Sequence, residues 1–187
     1  MAHIGNRVEY GLHCLLWLVD PNAEPVSSRD LAELQGISPS FVAKIFPKLE
    51  KAGIVTALAG VRGGYRLARA PDRITVLDVV DAIEGKKPLF DCRDIRGRCP
   101  IFGSNAPAWA TSGVCGIHAV MLRAERSMRD ELAATTLADL AGTVGRKMPQ
   151  RFAGEIKVWL ADRMNQRSEG RAAESTGPSR HKRRRST

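Results

Sequence analysis

No run of apolar residues in this sequence approaches the ~18–20 needed to cross a bilayer. The longest candidate, GLHCLLWLVD, is interrupted by His13 and reads as one face of a helix. The opening stretch MAHIGNRVEYGL lacks the basic region and 7–15-residue apolar run of a secretory signal. The expected location is therefore the cytoplasm, with no membrane partner. No internal repeat of useful period occurs. No acid–base or nucleophile pair marks a substrate cleft, so an enzyme is not expected. Cysteine is scarce, with four in 187 residues: Cys14, Cys92, Cys99 and Cys115. In a reducing compartment disulfides are disfavoured, and clustered cysteines more often bind metal or carry out redox chemistry. Cys14 stands apart in an apolar helix and reads as a buried, inert thiol.

What is present is apolar substance and positive charge. Hydrophobic residues make up 43% of the chain, enough for a true core. The net charge of +9 favours a polyanionic partner. That charge is unevenly spread. Residues 166–187 hold seven Lys/Arg and two acids, a net +5, against +4 for residues 1–165. The stretch 166–187 reads as a disordered basic tail. The body is only mildly basic, so charge alone does not establish nucleic-acid binding.

Periodicity predicts a first helix over about 6–20, capped by Asn6 and ended by Asp20-Pro21. In the next stretch, PVSSRDLAELQGISPSFVAKIFPKLEKAGIV, Ser27 and Asp30 form a capping box for a helix reaching about Gln35. Gly36 makes the turn. Ser38-Pro39 opens a second helix, with proline at its first position. That helix turns Phe41, Val42, Ile45, Phe46 and Leu49 toward a core and ends at Gly53, with a kink or shortening expected at Pro47. Short helix, glycine turn and longer helix make a helix-turn-helix. Two strands, 54–58 and 65–69, then form a hairpin wing with Arg62 at its tip and Arg66 and Arg69 on its return. Thr75 and Asp78 cap a helix that runs to about Glu84.

The domain reading follows. Residues 1–85 are a winged helix-turn-helix DNA-binding domain. Residues 86–112 are an irregular cysteine-bearing loop. Residues 113–145 hold a long helix and a short one, and 146–165 are a C-terminal helical segment. The fold class is mainly α with a small β wing. Along the long helix, Ile117, Val120, Met121, Ala124 and Met128 recur at three- and four-residue spacing. A chain this small has little left to bury that stripe, which therefore reads as a homodimer seam. The recognition helix would meet double-stranded operator DNA through Ser38, Ser40 and Phe41 at base edges, and through Lys44 and Lys48 at phosphates. Arg62 would enter a minor groove.

The loop and helix spacing is C-x6-C-x15-C, with His118 three residues beyond Cys115. Thiolates are soft ligands, so three of them suggest zinc or an iron–sulfur cluster. The paired C-x2–4-C knuckles of a zinc finger are missing. On the first helix, Glu9 and His13 stand four residues apart, ~5–6 Å at Cβ, close enough to share one metal. Glu9 has a plainer alternative as the capping-box partner of Asn6, and His13 one as a core histidine.

The segments VEYGLHC, LAELQGISPSFVAKIFPKLEKAGIV, GGYRLAR, ITVLDVVDAIEG, CRDIRGRCP, CGIH and TTLADL together resemble the winged-helix iron–sulfur regulators typified by IscR, NsrR and RsrR. The long interval between Cys99 and Cys115 resembles the RsrR type. That resemblance implies a dimeric transcription regulator, most simply a repressor, whose DNA affinity follows the redox or nitrosylation state of its cluster. It implies a [2Fe–2S] cluster held by Glu9 and His13 of one subunit and Cys92 and Cys115 of the other. The IscR-type alternative uses Cys99 and His118 with Cys92 and Cys115. Two other classes compete: a metal-free DNA-binding regulator with incidental thiols, and an iron–sulfur electron carrier.

Overall fold

The computed structural model describes residues 4–21, 24–60 and 62–175. Helix α1 (Asn6–Leu16) buries Val8, Cys14 and Leu15. It ends four residues before the expected boundary, because Trp17 and Leu18 bond back three residues, to Cys14 and Leu15, and tighten the turn. Its N-cap is Gly5, with no side-chain bond. Asn6 is the first helical residue, and the expected Asn6 cap does not form.

Helices α2 (Ser28–Leu34) and α3 (Pro39–Lys51) make the helix-turn-helix. Ser27 accepts from the Asp30 N–H at the start of α2. Gly36 turns the corner at φ +64, a left-handed conformation that costs glycine little. Pro47 neither ends nor shortens α3, which continues to Lys51. Ile45, Phe46 and Leu49 are buried on both sides of it and hold the two halves against the core, while the proline faces out.

The wing is β1 (Val55–Leu58) against β2 (Gly64–Leu67), antiparallel, pairing Val55 with Leu67 and Leu58 with Gly64. Tyr65 also bridges to Val26 on the other edge, and its ring lies 4.7 Å from that of Phe46. The glycine pair before it is sterically required. A Cβ at Gly63 would meet the Leu58 carbonyl at 2.3 Å, and one at Gly64 the Val26 backbone at 2.6 Å.

Helix α4 (Val76–Glu84) opens with the reciprocal Thr75–Asp78 capping box and stops at Gly85. It closes the core over α1 and α3. The approach is close enough that a Cβ on Gly11 would meet Ile83 at 2.6 Å. The following loop is not wholly irregular: it contains 3-10 turns at Ile95–Arg98 and Pro100–Phe102 and a single α turn, α5 (Ala108–Thr111).

The long helix α6 (Gly116–Ala134) is tied to α4 by Arg129, whose two guanidinium nitrogens donate to Asp81 at 3.0 and 2.8 Å. No α6 residue is fully buried within the chain. Ile117 and Val120 of its apolar stripe stay 65% and 52% exposed. Helix α7 (Leu137–Lys147) starts from the Thr136–Asp139 capping box, and the Thr75–Thr136 bridge holds it to the body.

Helix α8 (Gln150–Ser175) follows the break at Met148-Pro149. It lays Ile156, Leu160 and Met164 against the body. It corrects the tail boundary, since helix persists through residues 166–175. The reason is tertiary. Arg163 and Arg167 pair with Asp30, and Arg163 also with Glu33. Composition alone carries no trace of those contacts. The rest of the basic tail, 176–187, lies outside the described residues.

Candidate DNA interface and cysteine loop

Ser38 and Ser40 stand exposed where α3 begins, their hydroxyls 2.8 Å apart. Lys44 is exposed one turn on. These three occupy the edge that a major groove would receive. Phe41 does not share it. Its ring packs edge-on against Tyr10 of α1, with centroids 5.2 Å apart at 74°, so it joins α3 to α1 rather than meeting a base. Lys48 is also diverted: its ammonium donates to the Ile83 carbonyl at 2.6 Å, closing the end of α4. Arg62 is exposed at the wing tip, and Arg66 is exposed on β2. Arg69 is a staple, donating to Gly53, Arg73 and Asp78. An exposed cation that sequence reading passed over is Arg29 on α2, the helix that in this motif crosses the phosphate backbone.

This division predicts that Lys44→Ala weakens DNA binding and lowers its salt slope by ~1, the loss of one phosphate contact. Arg62→Ala is expected to cost most at sites with a narrow A·T-rich minor groove. Titrations at several salt concentrations check both.

The metal candidates fall into two half-sets. Glu9 and His13 are both exposed, one turn apart on α1. They line an apolar groove of about 630 Å³ formed with Leu12, Val80, Leu140 and Val144. Glu9 makes no cap bond, and His13 is not in the core, so neither plainer role is realised. Cys92, Cys99 and Cys115 are half-buried. Between them Arg96 donates to both oxygens of Asp94, at 2.6 and 3.1 Å, and to the carbonyls of Ser112 and Gly113, at 3.1 and 3.0 Å. Its guanidinium is raised above its ordinary range first by the bond to Asp94, with Cys115 and Cys92 adding to the effect. Asp94 is held low chiefly by the same bond, and His118 is near enough to contribute. His118 also faces Phe90, with ring centroids 6.2 Å apart. Among the described residues no three His, Cys, Asp or Glu side chains are grouped to hold a metal. Cys14 is set apart as expected, its thiol pushed up to about 12 by burial. Arg96 and Asp94 were missed in the sequence, where CRDIRGRC shows them only as charges between cysteines.

The profile of the Rrf2 family, described as "Iron-dependent Transcriptional regulator", matches residues 4–143. The chain belongs to the Rrf2 family. Family members are DNA-binding transcriptional regulators rather than enzymes. An HTH-type transcriptional regulator of Mycobacterium tuberculosis is 37% identical over 179 residues, covering 94% of this chain and 96% of its own. Among solved structures, CymR, the global cysteine regulator of B. subtilis, aligns at 26% identity and a TM-score of 0.58, over 76% of this chain and 98% of its own. IscR of T. potens aligns at 25% identity and a TM-score of 0.58, over 79% and 92%. The Rrf2 match ends within α7, while the alignment with the M. tuberculosis relative extends into α8. No helix among the described residues is long and apolar enough to cross a membrane.

Proposed function

We propose that this Rrf2-family chain is a homodimeric repressor that binds double-stranded operator DNA, and that a bridging [2Fe–2S] cluster governs its affinity. The carrying observation is the split of the donors. Glu9 and His13 present one outward half-set on α1, while the Arg96-bound loop holds Cys92 and Cys115 as the other. Two half-sets that do not meet within one chain fit a site completed across a dimer. The uncovered stripe of α6 supplies a seam for that dimer. The chemistry of the donors fits iron–sulfur: two soft thiolates, with a harder and protonation-sensitive carboxylate and imidazole. The family's iron dependence points the same way. When bound, the cluster would supply a one-electron or nitric-oxide-reactive centre. Cys99 and His118 are the alternative ligands, to be separated from Glu9 and His13 by substitution.

The chain's own residues give the coupling. Glu9 adjoins Tyr10, Tyr10 packs on Phe41, and Phe41 adjoins Ser40 at the DNA edge of α3. A shift of α1 with cluster state would thus be felt at the recognition helix.

The test is spectroscopic. Protein purified without oxygen is expected to be red-brown, Cys115→Ala colourless and Cys14→Ala unchanged. A normal chromophore in Cys115→Ala sinks the ligand assignment. A colourless parent that still binds its operator makes this a metal-free regulator.

A further inference from the structure

The loop between Cys92 and Cys115 carries the one non-glycine residue of the described chain with a left-handed backbone. Asp94 sits at φ 39, ψ 65. A non-glycine residue holds that conformation only where its surroundings impose it. Here they do, because Asp94 is held by Arg96 through both carboxylate oxygens. The same guanidinium reaches Ser112 and Gly113, just before Cys115. Asp94 is two residues after Cys92. One side chain therefore fastens the Cys92 segment to the Cys115 segment. Its fork is only 22% exposed, against 80% for the neighbouring Arg93, which pairs with Asp91 alone.

We propose that Arg96 is the positioning residue of the Cys92/Cys115 pair, pre-assembling the two sulfurs and placing a fixed cation beside them. The proposal rests on the ligand reading above. It distinguishes this loop's three arginines, because Arg93 and Arg98 make no contact that joins its two ends. It also gives lysine no equivalent role. An ammonium could keep the charge, but a single nitrogen cannot span a carboxylate and two carbonyls as the planar fork does. A cation beside an anionic cluster favours its reduced, more negative form. Arg96 thus sets the midpoint potential through its charge and the grip on iron through its geometry.

Arg96→Gln and Arg96→Lys separate the two effects. In oxygen-free protein, Arg96→Gln is expected to lose iron to a chelator roughly ten-fold faster or more, as outer-shell changes do, with a more negative midpoint. Arg96→Lys is expected to restore the midpoint but not the retention. A cluster-independent readout is trypsin cleavage at Arg98 in cluster-free protein, expected to accelerate in both variants while helix content stays parental. Asp94→Gly is the second probe. It relieves the left-handed backbone, yet removes the carboxylate that Arg96 grips, and cleavage is expected to accelerate here too. Parental cleavage in all three variants, with parental iron retention and midpoint, overturns the proposal. If instead Cys115→Ala keeps its chromophore while the Arg96 variants open the loop, the ligand reading fails and the clamp stands.

Discussion

A heterodimer of one Glu9→Gln/His13→Ala subunit and one Cys92→Ala/Cys115→Ala subunit is expected to bind one cluster, where the parent dimer binds two. Each homodimer of these variants is expected to bind none. The logic is the twofold symmetry of the assembly, in which each half-set meets the complementary half-set of its partner. Mixing puts both defects at one site and leaves the other complete. If each cluster were built within a single chain, every site in the heterodimer would carry a defect, and the protein would be colourless. That outcome would place Glu9, His13, Cys92 and Cys115 in one chain, whereas a coloured Glu9→Gln/His13→Ala homodimer would move the ligand set to Cys92, Cys99, Cys115 and His118. The single change Glu9→Gln sharpens the result. Glu9 is exposed and caps nothing, so as an ordinary surface residue its substitution would alter stability by within ~0.5 kcal/mol and leave the spectrum alone. As a ligand it would lose its anionic oxygen, and the cluster would be altered or missing at unchanged helix content. Visible absorption and iron content of tagged, separated heterodimers decide between the two arrangements.

The winged helix was legible because its signals are local. The Ser27–Asp30, Thr75–Asp78 and Thr136–Asp139 caps all form. Gly36 and Gly85 make their turns, and the GGY motif reflects two close backbone approaches at once. The signals that misled were also local, and were overruled by packing. Pro47 lacks a donor, but buried neighbours on both sides keep α3 whole. Lys48 has the spacing of a phosphate contact, but the open end of α4 takes its ammonium. Phe41 occupies a base-reading position by count, but α1 offers it a ring. The cysteine loop was legible as donors and illegible as geometry, since its organiser is an arginine bonded to carbonyls sixteen and seventeen residues away. The hold of α8 on α2 lay furthest out of reach. Its partners are 130 residues or more apart in the chain, and no periodic pattern encodes such a pair.

That hold carries the other large effect. Asp30→Ala is expected to destabilise the protein by ~2–3 kcal/mol, from loss of the hydrogen bonds that its buried carboxylate accepts from the Ser27 hydroxyl and the guanidinium of Arg167. Asp30 is the one charged side chain counted in the described core, 3% exposed. It accepts from the Ser27 hydroxyl at 2.7 Å and takes the guanidinium of Arg167, with that of Arg163 3.8 Å away. A surface carboxylate in an isolated ion pair would be worth ~0–1 kcal/mol. Here burial raises the stake, because an interior charge must be matched or neutralised. The complementary change, Arg163→Ala with Arg167→Ala, leaves Asp30 buried without these two guanidinium partners. Both changes are expected to free α8, so that limited proteolysis cuts within 150–170 while α1 to α7 persist. Urea unfolding measures the first effect and proteolytic mapping the second. Parental stability in Asp30→Ala, with α8 still protected in the double arginine variant, would assign the hold on this helix to the apolar contacts of Ile156, Leu160 and Met164 and to the Lys157–Asp20 ion pair.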